Sequence, residues 1–185
     1  MYESGYAKEL LNRQDRDVEA TNIIDTIEIW NKKYIVSEDG IYLVNNNGTQ
    51  EKKYTNSNLK AATVYNDNIY VVKQEDKNIN ILSISDTFVG TDFLKFNVDS
   101  GEICQKIKLF ETNKEKIVLI GTNKHLRCIV KSINDSTIIN DKIKFDGNNI
   151  VNVSLLEIQD IGELFRVFVT VSNYSSHNFY IYNIY

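Results

Sequence analysis

The chain has 185 residues, of which 42% are apolar, and a formal net charge of −4. This length and apolar content support one hydrophobic core without help from disulfides or metal ions. The acidic balance argues against a dedicated nucleic-acid binder, which usually carries a basic domain. No apolar run is long enough for a membrane helix, and the first twenty residues lack the apolar segment of a secretory signal peptide. We therefore expect a soluble protein that does not insert into membranes.

The chain divides into a short N-terminal segment and a long β-rich region. From Ile23 onward the sequence consists of short runs rich in Ile, Val, Tyr and Phe, separated by clusters of Gly, Asn, Asp and Ser. Such runs are typical of β-strands, and we count about fifteen of them. We predict an all-β domain over residues 23–185, preceded by an arm or closing strand over residues 1–22.

A hairpin unit recurs along this domain. Two apolar runs joined by a polar turn appear at least four times, and they group the strands into units over Ile23–Asn56, Leu59–Val98, Glu102–Phe145 and Ile150–Tyr185. The spacing falls in the range of propeller blades. The last unit has three strands where the others have four.

The segment from Trp30 to Tyr42, with an apolar strand, a turn bearing Gly40 and an Ile-Tyr strand, is similar to blades of sensor-type and citron-homology-type propellers. The chain thus resembles the β-propeller superfamily, which implies antiparallel blades, about four of them, that act as a scaffold for contacts. A β-sandwich is the alternative fold. The WD dipeptide, the kelch double glycine and the Asp-box are missing, so no binding residues carry over from a named family.

The missing outer strand of the last unit raises the question of closure. Residues Asp17–Ile24 would supply it if the ring closes on itself. In the alternative, the chain is half of a ring that a second copy or another chain completes.

Residues suited to chemistry are sparse. His125 and His177 lie in turns of different units, away from other metal ligands, which favours exposed turn residues. Cys104 and Cys128 are separated by a predicted strand, which favours a reduced, buried pair of thiols. We predict no catalytic residue, no metal site and no cofactor.

Lysines also alternate with apolar residues in the third unit. Lys106 and Lys108 flank Ile107 and precede Leu109, a pattern that predicts a solvated lysine face on a strand.

Aromatic residues are the best candidates for contacts. On a strand from Phe179 to Tyr185, alternation places Tyr180, Tyr182 and Ile184 on one face and Phe179, Ile181, Asn183 and Tyr185 on the other. A strand that is apolar on both faces is buried between sheets or covered by a partner. Our candidate interaction residues are Trp30, Tyr174, Tyr180, Tyr182 and Tyr185, although general burial tendencies favour a core position for Trp30.

These features predict a non-enzymatic interaction module that is a structural component of a larger assembly, through protein partners or self-association. Abundant Asn, Ile and Lys without proline indicate an AT-rich genome. Hairpin repeats without catalytic residues, an unclosed last unit and a terminal strand that is apolar on both faces fit a phage tail or virion component, with the cytoplasm as the other location. The alternative is a carbohydrate-binding or sensor module in which Trp30, Tyr65 and Tyr174 stack on a glycan. A glycoside-cleaving enzyme is disfavoured, because most carboxylates lie in turns.

Overall fold

The computed structural model describes residues 20–133, 138–145, 150–162 and 164–185. The first sheet contains β1 (Ile23–Ile29), β2 (Lys32–Ser37), β3 (Gly40–Val44) and β4 (Gln50–Thr55). The second contains β5 (Leu59–Tyr65), β6 (Asn68–Glu75), β7 (Asn78–Ile84) and β8 (Gly90–Asn97). The third contains β9 (Cys104–Glu111), β10 (Glu115–Thr122), β11 (His125–Ser132) and β12 (Ile138–Lys144). The fourth contains β13 (Asn152–Asp160), β14 (Phe165–Ser172) and β15 (His177–Ile184).

Every sheet is antiparallel, and its strands follow one another in chain order. The first strands of the four sheets, β1, β5, β9 and β13, surround one cavity, so the sheets are arranged like the blades of a four-bladed propeller. The predicted all-β, propeller-like fold of four units is confirmed, and the β-sandwich alternative is set aside.

Three apolar cores hold the sheets together. One lies between the first and second sheets around Val36 and Ile69. The next lies between the second and third sheets around Val72 and Ile120, and the last lies between the third and fourth sheets around Leu119. No apolar cluster among the described residues joins the fourth sheet to the first. Four sheets are therefore connected by three cores.

Each inner strand carries a β-bulge near its start. The extra residue is Ile24 in β1, Lys60 in β5, Gln105 in β9 and Ser154 in β13. A bulge turns the strand and redirects a side chain. Two of these side chains reach the neighbouring sheet: Lys60 pairs with Glu38 of the first sheet, and Gln105 binds the backbone of the fourth. The bulges thus repeat with the blades and help to join them.

Two hairpins turn through residues with positive φ. Trp30 and Asn31 have φ of 52° and 57°, and Asn66 and Asp67 have φ of 43° and 57°. Two successive positive φ angles define the type I′ turn, whose twist matches that of the flanking strands. A bulky residue is rare in this conformation, and the Trp30 ring is held by edge contacts with two neighbouring aromatic rings.

The segment expected to close the ring is described only in part. Ile23 and Ile24 lie in β1, which pairs with β2 of the first sheet, and Asn22 donates a hydrogen bond to Glu38 at 2.8 Å. Residues 17–19 of that segment lie outside the described residues, as does most of the predicted arm, so the division at residue 22 stays a prediction. Nowhere in the described part of the chain does a helix occur that could span a membrane.

Candidate functional site

A cavity of about 420 Å³ lies on the axis of the four sheets. Lys106 and Lys108 of β9 form ion pairs in this cavity. The Lys106 Nζ atom is 4.0 Å from Asp25 Oδ2, and the Lys108 Nζ atom is 3.0 Å from Glu157 Oε2. One pair joins the third sheet to the first and the other joins it to the fourth. The predicted lysine face therefore exists, but it borders the central cavity and braces the sheets instead of facing open solvent.

Two side-chain amides, one buried and one partly buried, connect neighbouring sheets. Gln74 at the end of β6 donates from Nε2 to the Glu102 carbonyl at 2.6 Å, and its Oε1 accepts from the Cys104 backbone N–H at 2.9 Å. Gln105 does the same between the third and fourth sheets, where its Oε1 accepts from the Val153 N–H at 2.7 Å. These amides satisfy backbone groups that would otherwise be buried without partners.

The third sheet contains a buried ion pair. Glu102 is fully buried, and its carboxylate accepts hydrogen bonds from Arg127 Nε at 2.8 Å, from Arg127 Nη2 at 2.6 Å and from Thr122 Oγ1 at 2.8 Å. Burial by itself raises the pKa of Glu102, but the hydrogen bonds from Arg127, Thr122 and the Asp99 backbone outweigh it and lower that pKa to about 2. The carboxylate is therefore ionised in the folded protein at neutral pH.

The position of His125 differs from the one predicted from the sequence. It was expected in an exposed turn, but it is buried at the start of β11, with Nδ1 3.1 Å from Glu102 Oε1. That contact lacks the geometry of a hydrogen bond. The turn position and the exposure were both wrong: His125 is the first residue of β11, and it packs against Glu102 of a distant segment. His177 is exposed, as expected.

His125, Glu102 and Asp99 place three donor atoms within 4.8 Å of one another. Both carboxylates are already neutralised, Glu102 by Arg127 and Asp99 by Lys142. A divalent cation would have to displace these side chains and would face the Arg127 charge, so electrostatics favours an ion-pair network here. We assign no metal to this cluster, and the absence of a metal site stays a prediction.

The fourth sheet has one covered and one uncovered face. Tyr180 and Tyr182 pack on the core shared with the third sheet, and the Tyr180 hydroxyl donates to the Phe145 carbonyl at 2.9 Å. On the opposite face, Phe179 is 57% exposed and Ile181 is 55% exposed. The predicted alternation of β15 is confirmed. No neighbouring sheet among the described residues packs on the Phe179 side.

Two residues that we did not single out from the sequence extend this uncovered surface. Leu155 pairs with Thr170, which pairs with Phe179, and Phe168 pairs with Ile181. The rings of Phe168 and Phe179 are stacked, with centroids 6.0 Å apart and planes at 16°. We call Leu155, Phe168, Phe179 and Ile181 the fourth-sheet face. The alternation of β13 and β14 was the signal that could have identified the first two.

The other predicted aromatic residues do not form one site. Tyr174 is fully exposed on the turn between β14 and β15, and Tyr185 is almost fully exposed after β15. Trp30 packs against Tyr34 and Phe88 in the core between the first two sheets, and its Nε1 donates to the Asp67 carbonyl at 3.1 Å. The structure brings Tyr180 and Tyr182 together and leaves Trp30, Tyr174 and Tyr185 apart.

Tyr174 borders a shallow pocket of about 370 Å³ at one end of the third and fourth sheets. Gln105, Ile150 and Asn152 also line it. The turn that presents Tyr174 is fixed by Asn173, whose Oδ1 accepts from the backbone N–H groups of Ser175 and Ser176, both at 2.9 Å. Local hydrogen bonds thus fix the backbone of the turn that carries this exposed ring beside amide side chains.

Comparison with known proteins supports the fold. An auxiliary nutrient binding protein from Bacteroides ovatus has a similar structure, with a TM-score of 0.61 and 12% identity over 90% of this chain and 48% of that chain. The N-terminal domain of Nup159 is also similar, with a TM-score of 0.51 and 8% identity over 89% of this chain and 50% of that chain. The chain has a β-propeller-like fold. At such low identity the likenesses concern the fold alone.

The chain spans about half the length of the solved chains that it matches. No family model matches the sequence, and no curated protein is significantly similar to it.

Proposed function

We propose that this chain is a non-enzymatic interaction module, and that the fourth-sheet face is the surface by which it joins a larger assembly. The observation that carries the proposal is that four sheets share three cores. In a propeller each sheet packs on both neighbours. A face with two aromatic rings that has no apolar partner among the described residues is therefore suited to bind another molecule.

The composition of that face supports binding to protein. Leu155, Phe168, Phe179 and Ile181 are adjacent on three neighbouring strands, and their side chains form one apolar stripe. Aromatic residues are enriched in the buried centres of protein interfaces and supply much of the binding energy. Polar residues, among them Glu157 and Asn183, lie on the same side of the sheet, as in the rim of an interface.

The cavity carboxylates support a non-enzymatic role. A glycoside-cleaving site needs one carboxyl group as an acid and a second as a nucleophile or base. Asp25 and Glu157 are each engaged by a lysine of β9, and these ion pairs connect sheets across the cavity. Bracing accounts for these two of the three carboxylates that line the cavity, and the third, Glu28, lies exposed on β1.

The test is whether the native chain offers an apolar docking surface. We expect the dye ANS, which binds exposed apolar surface, to fluoresce with the folded protein, and Phe179→Ser to reduce the signal strongly. Val89→Ser is the matched control, since Val89 is 60% exposed outside this face, and it should leave the signal unchanged. A native chain that does not bind ANS, or equal signals from both variants, would contradict the proposal.

A second candidate function rests on the Tyr174 pocket. We propose it as a glycan site in which Tyr174 stacks on a sugar ring and Asn152 and Gln105 contact hydroxyl groups, since sugar sites combine an aromatic platform with planar polar groups. The similar Bacteroides ovatus structure is described as nutrient binding, which favours small-ligand binding as the alternative role. Glycan binding should be lost in Tyr174→Ala and retained in Tyr185→Ala, which removes an equally exposed tyrosine elsewhere. The absence of binding to a broad glycan panel would exclude this candidate.

The setting of the module stays a prediction. The hairpin repeats without catalytic residues and the three-stranded last unit predict a phage tail or virion component, and the aromatic strand predicts self-association or protein partners. The location of the protein, in a virion or in the cytoplasm, is part of the same prediction.

A further inference from the structure

The outer edge of β15 differs from the other outer edges of the fold. In the first three sheets the outermost strands are β4, β8 and β12, and in the fourth sheet the outermost described strand is β15. A strand at a sheet edge presents unpaired backbone N–H and C=O groups, which pair readily with another strand unless charges or prolines block them.

Charge separates β15 from the other three edge strands. β4 contains Glu51, Lys52 and Lys53, β8 contains Asp92 and Lys95, and β12 contains Asp141, Lys142 and Lys144. β15, with the sequence HNFYIYNI, contains no Asp, Glu, Lys or Arg. It resembles β3 and β7, which are also free of these residues, and each of those strands is covered by a fourth strand. The β15 edge therefore lacks the charged residues that oppose pairing at the other outer edges.

We propose that β15 pairs antiparallel with β15 of a second copy of this chain, so that the two fourth sheets form one continuous six-stranded sheet. The proposal rests on the proposed function, because it names the partner of the fourth sheet. Of the outer edge strands described in a second copy, β15 alone can approach Phe179 and Ile181 without bringing ionised side chains beside them.

The pattern of β15 is compatible with two-fold symmetry. Opposite residues of an antiparallel pair lie on the same face of the sheet, so a two-fold axis perpendicular to the sheet places Phe179 and Ile181 of both copies on one side. The apolar stripe of the fourth-sheet face then continues across the dimer. The Tyr180 and Tyr182 rows of both copies lie on the other side, next to their own third sheets.

The occupant is not one of the described strands of the same chain. The strands β4, β8 and β12 each pair along their length with the third strand of their own sheet, and β1 pairs with β2. Edge-to-edge addition of a strand needs only backbone hydrogen bonds and compatible side chains on the two faces, and β15 of another copy supplies both.

Light scattering of the full chain on a sizing column, over a range of concentrations, tests the proposal. We expect a species of twice the 21.4 kDa chain mass that dissociates on dilution. Asn183→Lys and Ile181→Lys put a charge on the edge strand and should give the single-chain mass. Asn183→Lys replaces an exposed polar residue, so it stays informative if Ile181→Lys does not fold.

The matched control is Ile143→Lys on β12. Ile143 is 52% exposed on an edge strand that is already charged, and Ile181 is 55% exposed. The control should keep the dimer mass. If Ile143→Lys disrupts the dimer as much as Ile181→Lys does, the contact is not at β15 and the proposal fails.

Hydrogen exchange of the β15 amides distinguishes the other occupants. We expect protection in the dimer that decreases on dilution together with the dimer mass. A monomer with protected β15 amides would mean that another part of the same chain covers the edge, and a monomer with unprotected amides would mean that the edge awaits a different partner. Either monomer overturns the proposal, while ANS binding to the fourth-sheet face would still support the proposed function.

Discussion

Glu102 and Arg127 form a two-point ion pair inside the third sheet, with Arg127 Nε 2.8 Å from Glu102 Oε1 and Nη2 2.6 Å from Oε2. Glu102 precedes β9, whereas Arg127 lies in the middle of β11, so the pair connects the entry loop of the sheet to its third strand. Planar bidentate contacts of this kind are among the strongest side-chain interactions. The pair holds the loop that contacts Gln74 in the second sheet. In that loop the Glu102 carbonyl accepts a hydrogen bond from Gln74, and the Cys104 N–H donates one to it.

We expect Arg127→Met to lower the free energy of unfolding by about 3–5 kcal/mol, because it leaves a buried carboxylate without its counter-charge. Urea unfolding followed by fluorescence measures the loss. Arg166→Met, at a half-buried arginine of β14, is the control and should cost much less. The double variant with Glu102→Leu and Arg127→Met should regain a large part of the loss. A double variant as unstable as Arg127→Met would show that packing, and not the unpaired charge, causes the effect.

Acid should destabilise the fold through Glu102. Its pKa is lowered in the folded protein from an ordinary value of 4.5 to about 2. A carboxyl group with a lowered folded pKa contributes stability above its unfolded pKa and loses that contribution as the pH falls towards its folded pKa. The free energy of unfolding should therefore decrease as the pH falls from about 4.5 to about 2.

Urea unfolding of wild type and Glu102→Gln at several pH values checks this expectation. The variant should be less stable at neutral pH and should lose less stability on acidification, since the amide does not titrate. Asp86→Asn, at an exposed carboxylate in the turn between β7 and β8, is the control and should keep the wild-type slope. Parallel pH curves for wild type and Glu102→Gln would exclude Glu102 as a source of the acid sensitivity.

Gln74→Leu should lower the free energy of unfolding by about 1–3 kcal/mol for each buried backbone group that loses its partner. The affected groups are the Cys104 N–H and the Glu102 carbonyl, which Gln74 contacts at 2.9 Å and 2.6 Å. Gln159→Leu, at an exposed glutamine of β13, is the matched control. Thermal or urea unfolding measures both variants, and equal stabilities would mean that the amide bridge does not contribute.

The two cysteines should not react in the folded protein. Burial raises the pKa of the Cys104 thiol to about 12 and that of the Cys128 thiol to about 11. Because the thiolate is the reactive form, a thiol reagent at pH 8 should label neither residue quickly, and both should react in denaturant. The structure buries Cys104 fully and Cys128 in part. Rapid labelling of either cysteine in the native chain would contradict this prediction.

Local pattern was sufficient to predict the strands and their grouping. The fifteen strands, the four units, the three-stranded last unit and the two faces of β15 all follow from alternation and turn residues, which act over a few neighbours. The separation of Cys104 from Cys128 by one strand followed in the same way. The absence of charge from β15 is also present in the sequence, although its meaning depends on which strands lie at edges.

The tertiary structure decided where residues of similar pattern are placed. The pattern around His125 predicted an exposed turn residue, but His125 packs against Glu102 in the fold. The alternation of Lys106 and Lys108 predicted a solvated face, but four inner strands surround these lysines. Sequence alternation assigns a side chain to one face of its own strand. It does not say which sheet, if any, covers that face, because contacts between sheets join residues that are far apart in the chain. For this reason the sequence determined the blades. Only the folded arrangement showed that the third sheet covers one face of the fourth sheet and that, within the described part of the chain, no sheet covers the other.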